Sequence, residues 1–294
     1  MLNIKKNESI NEFTIVGVLN EIKVSEGTSN KTNDQYIGID AQIRVDQEID
    51  GNQEENIIPV KLFSSRHKKD GGLNSNYDRL KGYAEKLQSI GSVDDPSKAS
   101  RVSLTAKISE NSFAGRDGRV VTDWQLSTNF LNNAKGDEDE TARFVVTGVV
   151  GKKFQELDRE GNETGRLVVR LAVIGYNGKA NIIDFYASGS KADHIDRYWE
   201  QGDTVKAAGI IAVTKKVVHK EEEMGFGDPI VNEYTVPRKE LIITKGSRAG
   251  LDESESYDAD EVKTSIDERN AYIESLKEGA KKSTSAASTK DLGF

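Results

Sequence analysis

The chain has 294 residues, of which 35% are hydrophobic and 31% charged, with no cysteine and a formal net charge of −8. Lack of cysteine excludes disulfides, thiol nucleophiles and cysteine-based zinc sites. No apolar run approaches the ~20 residues of a membrane span, and "MLNIKKNESINEF" has no signal-peptide core, so the cytoplasm is the expected location.

The negative charge is concentrated. "DEDE" (137–140) carries −4 and residues 249–294 carry −5, whereas residues 141–248 come to +2. The total therefore says little about the surface of the folded body.

In chain order, "EFTIVGVLNEI" (12–22) predicts a strand with Gly17 at its middle, a position suited to a sharp bend. "YIGIDAQIRV" (36–45) alternates at period two, placing Ile37, Ile39, Ala41 and Ile43 on a core face and Tyr36, Gly38, Gln42 and Arg44 on the other. "NIIPVKLF" (56–63) is a third strand, with Val60 and Leu62 inward and Lys61 and Phe63 outward. Tyr77, Leu80, Leu87 and Ile90 then recur at helical spacing before Gly91. "RVSLTAKI" (101–108) and "DWQLSTNFL" (123–131) close the unit as a strand pair.

After "NNAKGDEDET" the same unit is written again. "RFVVTGVVGKKF" (143–154) repeats the Phe-first strand with Gly148 at its middle. "RLVVRLAVIGY" (166–176) puts Leu167, Val169, Leu171 and Val173 inward, Arg170 and Tyr176 outward. "NIIDFYA" (181–187) is the third strand. Ser190 caps a helix carrying Ile195 and Tyr198 that stops at Gly202. "DTVKAAGIIAV" (203–213) and "EYTVPRKELIIT" (233–244) end the copy. Beyond it, "GSRAGLDESESYDADE" reads as disordered. "SIDERNAYIESLKEG" reads as a helix opened by a Ser265/Glu268 capping box, with Ile266, Ile273 and Leu276 on one face and Gly279 at its end.

Three strands, a helix and two strands is the order of the OB-fold, a small five-stranded Greek-key barrel. The expected fold class is all-β, with short helices: two tandem OB-fold barrels at 1–136 and 137–246, then an acidic C-terminal region at 247–294 with a helix and disordered tail. No P-loop, dinucleotide fingerprint or H-E-x-x-H occurs, and His67, His194 and His219 lack ligand spacing. The expectation is a protein with no catalytic site, no metal and no cofactor.

"FYASGSKADHIDRYWEQGDTVKAAGII" (185–211) resembles bacterial and phage single-stranded-DNA-binding proteins, with Gly189, Ala192, Tyr198, Gly202, Asp203, Val205 and Gly209 in step. The hairpin "KISENSFAGRDGRVVTDWQLSTNFL" resembles them too, with Asp117-Gly118 at its tip. The resemblance implies bases stacked on aromatics of the sheet face and phosphates tracked by Lys and Arg. Phe63 and Phe113 fall on stacking positions, which Ser188 and Lys216 hold in the second copy. Tyr176 takes a third aromatic position, and Tyr186 shares the face of Ser188. Tyr36, Arg44, Lys61, Lys107, Arg170 and Lys215 complete the expected DNA-facing set with Lys216.

Asp291, Leu292 and Phe294 resemble the C-terminal tip by which such proteins recruit replication and recombination partners. A terminal Phe offers an apolar anchor beside its own carboxylate. The implied setting is the cytoplasm of a bacterial cell, a phage-infected one included, with homo-oligomers open. The alternative is a structural OB-fold protein of a virion or multiprotein assembly that binds no nucleic acid.

Overall fold

Residues that alternate apolar and polar form longer strands than the patterns alone mark. In the computed structural model the described residues are 10–288, except 116, 118, 159, 176, 177 and 223–229. The side chains of 216–222, 230–234, 236 and 280–288 also lie outside the description. The first half contains β1 (Asn11–Thr28), β2 (Gln35–Ile49), β3 (Asn52–Ser65), α1 (Ser75–Lys86), β4 (Arg101–Ala114), β5 (Val120–Ser127) and the short β6 (Asn132–Asn133). The second contains β7 (Thr141–Leu157), β8 (Glu163–Ile174), β9 (Ala180–Ser188), α2 (Ser190–Tyr198), β10 (Thr204–Glu222) and β11 (Ile230–Gly246), and α3 (Ala259–Ser288) follows.

In the first half β1 pairs with β2, β2 with β3, β3 in parallel with β5, β5 with β4, and β4 again with β1. The second half repeats this circuit through β7, β8, β9, β11 and β10. The inward rows read from the alternation are buried in both halves. Gly17 sits where a Cβ would collide with the carbonyl oxygen of Arg44, so β1 can cross β2 closely only at a glycine.

β1 and β7 run antiparallel against each other, with Phe13 opposite Phe144. These two residues are equivalent in the repeat, so a pseudo-two-fold axis passes through their pair. Their rings stack at 5.7 Å, and Phe185 lies 5.3 Å from Phe144. All three are buried within a hydrophobic core that runs continuously through both halves. Full burial of such side chains contributes about 1.5–3 kcal/mol each.

Each half also reaches across the other. Asn56, which begins the "NII" of β3, donates to the carbonyl of Ile211 and accepts from the amide of Val213, both in β10. Asn181, which begins the "NII" of β9, accepts from the amide of Glu110 in β4. The Glu110 carboxylate in turn accepts from the amide of Ile182. Two equivalent asparagines thus clip the opposite half's fourth strand to the edge of their own sheet.

Four local expectations need correction. α1 ends at Lys86, because Leu87 turns extended while its N–H still bonds Tyr83, and Ile90 falls in a separate 3-10 turn. Gly189, not Ser190, is the N-cap of α2, and its φ of 57° suits glycine.

The third and fourth concern the segment after β11. Part of the stretch expected to be disordered is tied to β10, since Thr204 accepts hydrogen bonds from the amides of Leu251 and Tyr257. α3 starts six residues before the supposed capping box, with Asp258 accepting from the amides of Asp260 and Glu261. Ser265 lies inside it, where its buried hydroxyl donates to the Gly178 carbonyl and accepts from the Ala180 amide. Gly279 does not end the helix, which runs on to Ser288.

Candidate nucleic-acid interface

The outward face of β1–β3 is where the alternation sends the aromatic and basic residues. Phe63 lies opposite Gly38, which has no side chain, and Tyr36 lies opposite Ser65. The diagonal neighbours Tyr36 and Phe63 meet, with ring centroids 5.7 Å apart and planes 29° from parallel. On the other side of Tyr36, a Cβ at Gly27 would come within 2.8 Å of the phenol oxygen. The Tyr36 ring therefore lies over bare backbone, and the three positions form an aromatic shelf across three strands. Phe63 is 63% exposed. Tyr36 is half-buried, so the solvent-facing aromatic surface of the pair is chiefly that of Phe63.

Cations flank the shelf. Lys61 is exposed two residues before Phe63, and it lies in one row with Ser127 of β5 and Lys107 of β4. Phe130, three residues past Ser127, is exposed with the Arg79 guanidinium of α1 4.4 Å from its ring centre. Phe130 falls within the stretch 123–131 read as a strand, but β5 ends at Ser127 and Phe130 lies between it and β6.

The other expected residues lie elsewhere. Arg44 is eight residues along β2 from Tyr36, about 26 Å at strand rise. It is mostly buried, 3.8 Å from Asp46, and its Nε has no hydrogen-bond partner. Phe113 is exposed and faces Val121 near the end of the β4–β5 hairpin. The parallel β3–β5 register sends that end away from Phe63, so the two phenylalanines do not share one patch.

In the second half the corresponding face is engaged by the chain itself. Arg170 makes a two-point contact with Asp184 at 2.7 and 2.9 Å, and that hydrogen-bonded carboxylate raises the Arg170 guanidinium above its ordinary value. Tyr186 has the Arg166 guanidinium 4.7 Å over its ring. Burial, with the carboxylates of Glu240 and Asp184, pushes its phenol up.

Arg166 also bonds Glu156 and Glu240, and Arg238 links Glu240 to Asp50 of the first half. Burial alone would raise the Glu240 carboxyl, but the hydrogen bonds and charges of Arg166 and Arg238 outweigh it and hold the group below its ordinary value. Lys239 reaches Asp123 and the Trp124 carbonyl, with its ammonium 4.2 Å from the Trp124 ring centre.

A groove of about 480 Å³ remains between β5, β9 and α3, lined by Arg170, Tyr186, Trp124, Lys239 and Arg269 among others. Arg269 there bonds Glu110 at 2.7 Å. Lys215 is exposed at the rim of a separate cleft of about 950 Å³ between the β10–β11 hairpin and β2–β3, whose first-half wall carries Asp50, Glu54 and Glu55. The side chain of Lys216 lies outside the described residues, as do Tyr176, Asp291, Leu292 and Phe294. Among the described residues no three His, Asp or Glu side chains gather as metal ligands, and no helix is long and apolar enough to cross a membrane.

This β-rich fold is similar to that of a solved single-stranded DNA binding protein. A crystal structure of the wild-type single-stranded DNA binding protein from Thermus aquaticus superimposes with a TM-score of 0.51 at 10% identity, covering 83% of this chain and 95% of that one. A deletion mutant of the same protein gives 0.52 at 10% identity, covering 84% and 97%. At this identity the likeness concerns the fold. The YorF family model matches residues 9–279, and the chain belongs to the YorF family. No curated protein matches it.

Proposed function

We propose that the chain binds single-stranded DNA without sequence preference, chiefly on the outward face of its first half. The observation that carries this reading is the exposed Phe63 ring, stacked on the half-buried Tyr36 beside Lys61. Every base has a π-face, so an open aromatic shelf accepts any sequence, at about 1–3 kcal/mol per stacked base. The fold likeness to a protein described as single-stranded DNA binding supports the reading.

In this reading residues 1–136 and 137–246 are tandem five-stranded OB-fold barrels, and residues 247–294 form the C-terminal region. The role is protection of single strands in replication and recombination, without catalysis or a cofactor, and residues 291–294 are the recruiting tip for partner proteins. The test is a titration of fluorescent oligo-dT with the intact chain at low and high salt. The expected result is binding that weakens with salt at a log–log slope of about −0.7 per phosphate contact, and that duplex DNA competes for poorly. No binding at low salt, or equal competition by duplex, overturns it.

A further inference from the structure

The aromatic shelf does not end at open solvent. Two residues beyond Phe63 on the same face of β3 is Ser65, and Ser65 is part of the wall of a bowl of about 820 Å³. Its other walls include Asp34 from the β1–β2 loop, His67, Lys68 and Lys69 from the β3–α1 loop, and Asn74, the N-cap of α1. Two residues of strand span about 7 Å, so the sugar-phosphate of a nucleotide stacked on Phe63 reaches the bowl without a detour.

The bowl is built with care for one imidazole. Asp34 accepts from the backbone amide of His67 at 3.0 Å and meets its Nδ1 at 2.7 Å. That double contact fixes the ring and leaves Nε2 as the nitrogen available to a ligand. The hydrogen bond from His67 also holds the Asp34 carboxyl below its ordinary value.

The remaining charges favour an anion. Lys68 and Lys69 stand on the same loop, and the positive end of the twelve-residue α1 opens beside them, with Asp78 in its first turn but outside the lining. The neighbouring acid, Asp70, is not part of the lining and accepts from the Gly72 amide at 3.0 Å within the same loop. Arg66 is held by Gln35 at 2.5 Å. The ionisable groups lining the bowl are therefore Asp34, His67, Lys68 and Lys69, and α1 contributes only the neutral Asn74.

We propose that this bowl is a phosphodiester seat, in which protonated His67, oriented by Asp34, donates Nε2–H to a phosphate of the strand leaving the shelf. The identity of that phosphate rests on the proposed single-strand binding, and the seat itself rests on the bowl. Asp34 is a positioning residue here, and Lys68 and Lys69 supply charge that persists across the neutral range. Imidazole is the side-chain type whose ordinary protonation falls between about pH 5 and 8.

The experiment measures oligo-dT affinity from about pH 8 to about pH 5.5 for the intact chain, His67→Gln and the double variant Lys68→Ala/Lys69→Ala. All are checked for unchanged far-UV circular dichroism. The intact chain gains about tenfold in affinity on acidification, the scale of one charge-assisted hydrogen bond. His67→Gln is flat over that range, which separates this effect from His194 and His219. The double lysine variant keeps the pH response and has a salt slope shallower by roughly 0.7–1.4. A wild-type pH profile in His67→Gln overturns the seat.

If the intact chain fails to bind oligo-dT, the proposed function falls, and titration of labelled histidine with pyrophosphate decides the seat alone. A shift of the His67 imidazole resonance on adding pyrophosphate upholds it, and an unmoved resonance overturns it.

Discussion

Phe63 gives more of its surface to water than any other phenylalanine among the described residues. Truncation to alanine removes a stacking surface and no core, so Phe63→Ala should weaken single-strand binding by about 1–3 kcal/mol and leave the unfolding midpoint unchanged. Loss of the folded state in that variant would make the residue structural. Gly27 offers a subtler probe. A methyl group there meets the outer end of the Tyr36 ring, so Gly27→Ala should tilt the shelf and cost affinity while the fold persists, as measured by oligo-dT titration beside circular dichroism.

Glu240 belongs to the same scale. Its folded value lies below its unfolded one, so its contribution to stability is complete above the ordinary carboxylate range and is lost as pH falls through the folded value. Glu240→Gln leaves two largely buried guanidiniums short of their anion. It should destabilise at about pH 7 by up to the ~3–5 kcal/mol typical of a broken buried pair. The loss relative to the parent should shrink on acidification, when the parent's own carboxylate is protonated. Denaturant midpoints at both pH values check this sign.

At the scale of the elements, what was legible depended on how far away each residue's partner lies. Ile37, Ile39, Ala41 and Ile43 declared a strand because period two is a local property, and the core face followed from it. In β8 the alternation told half the story. Val168, Ala172 and Ile174 are buried along with the expected row, because further packing covers the opposite face; Ile174 meets Ala180 and Val262 of α3 there. The nearly unbroken apolar run was the available sign of a strand covered on both sides.

Ser265 followed by Glu268 imitated a helix start, although the serine serves a hydrogen bond to a loop 87 residues away. Asn56 and Asn181 were invisible for the same reason, since Asn56 meets its partners 155 and 157 residues off. The duplicated "NII" was the one local trace of them. Lys61 and Phe63 were read correctly as outward, but pattern could not tell that Phe113 points to the other end of the sheet.

Asn56→Ala should leave the Ile211 carbonyl and the Val213 amide without their partner, at about 1–3 kcal/mol. Asn181→Ala should act similarly on the opposite hairpin. Urea unfolding of each variant and of the pair would measure whether the clips act independently.

For the whole molecule, two halves of the same plan present different outward faces. The first keeps Phe63 open, while the second turns Arg166 and Arg170 toward its own carboxylates, and Arg269 of α3 is held by Glu110 of the first half. Removing residues 259–294 should expose Ile174 and Ala180 and take Arg269 from Glu110, and the second half should become the less stable one. Hydrogen exchange should then rise in β9 before it rises in β2.

The β1–β7 seam carries one more consequence, for a molecule cut in two. Each strand presents to the other its own counterpart, Phe13 to Phe144, so the surface is complementary to itself. A chain ending at residue 136 would leave the backbone of 11–16 as an open sheet edge with Phe13 uncovered, a template for any strand of matching register. The best match in solution is a second copy of the same fragment. Such half-chains should pair into a closed isologous dimer, with Phe13 against Phe13 on a true axis. Sedimentation would report twice the fragment mass, and Phe13→Asp would return it to the mass of one.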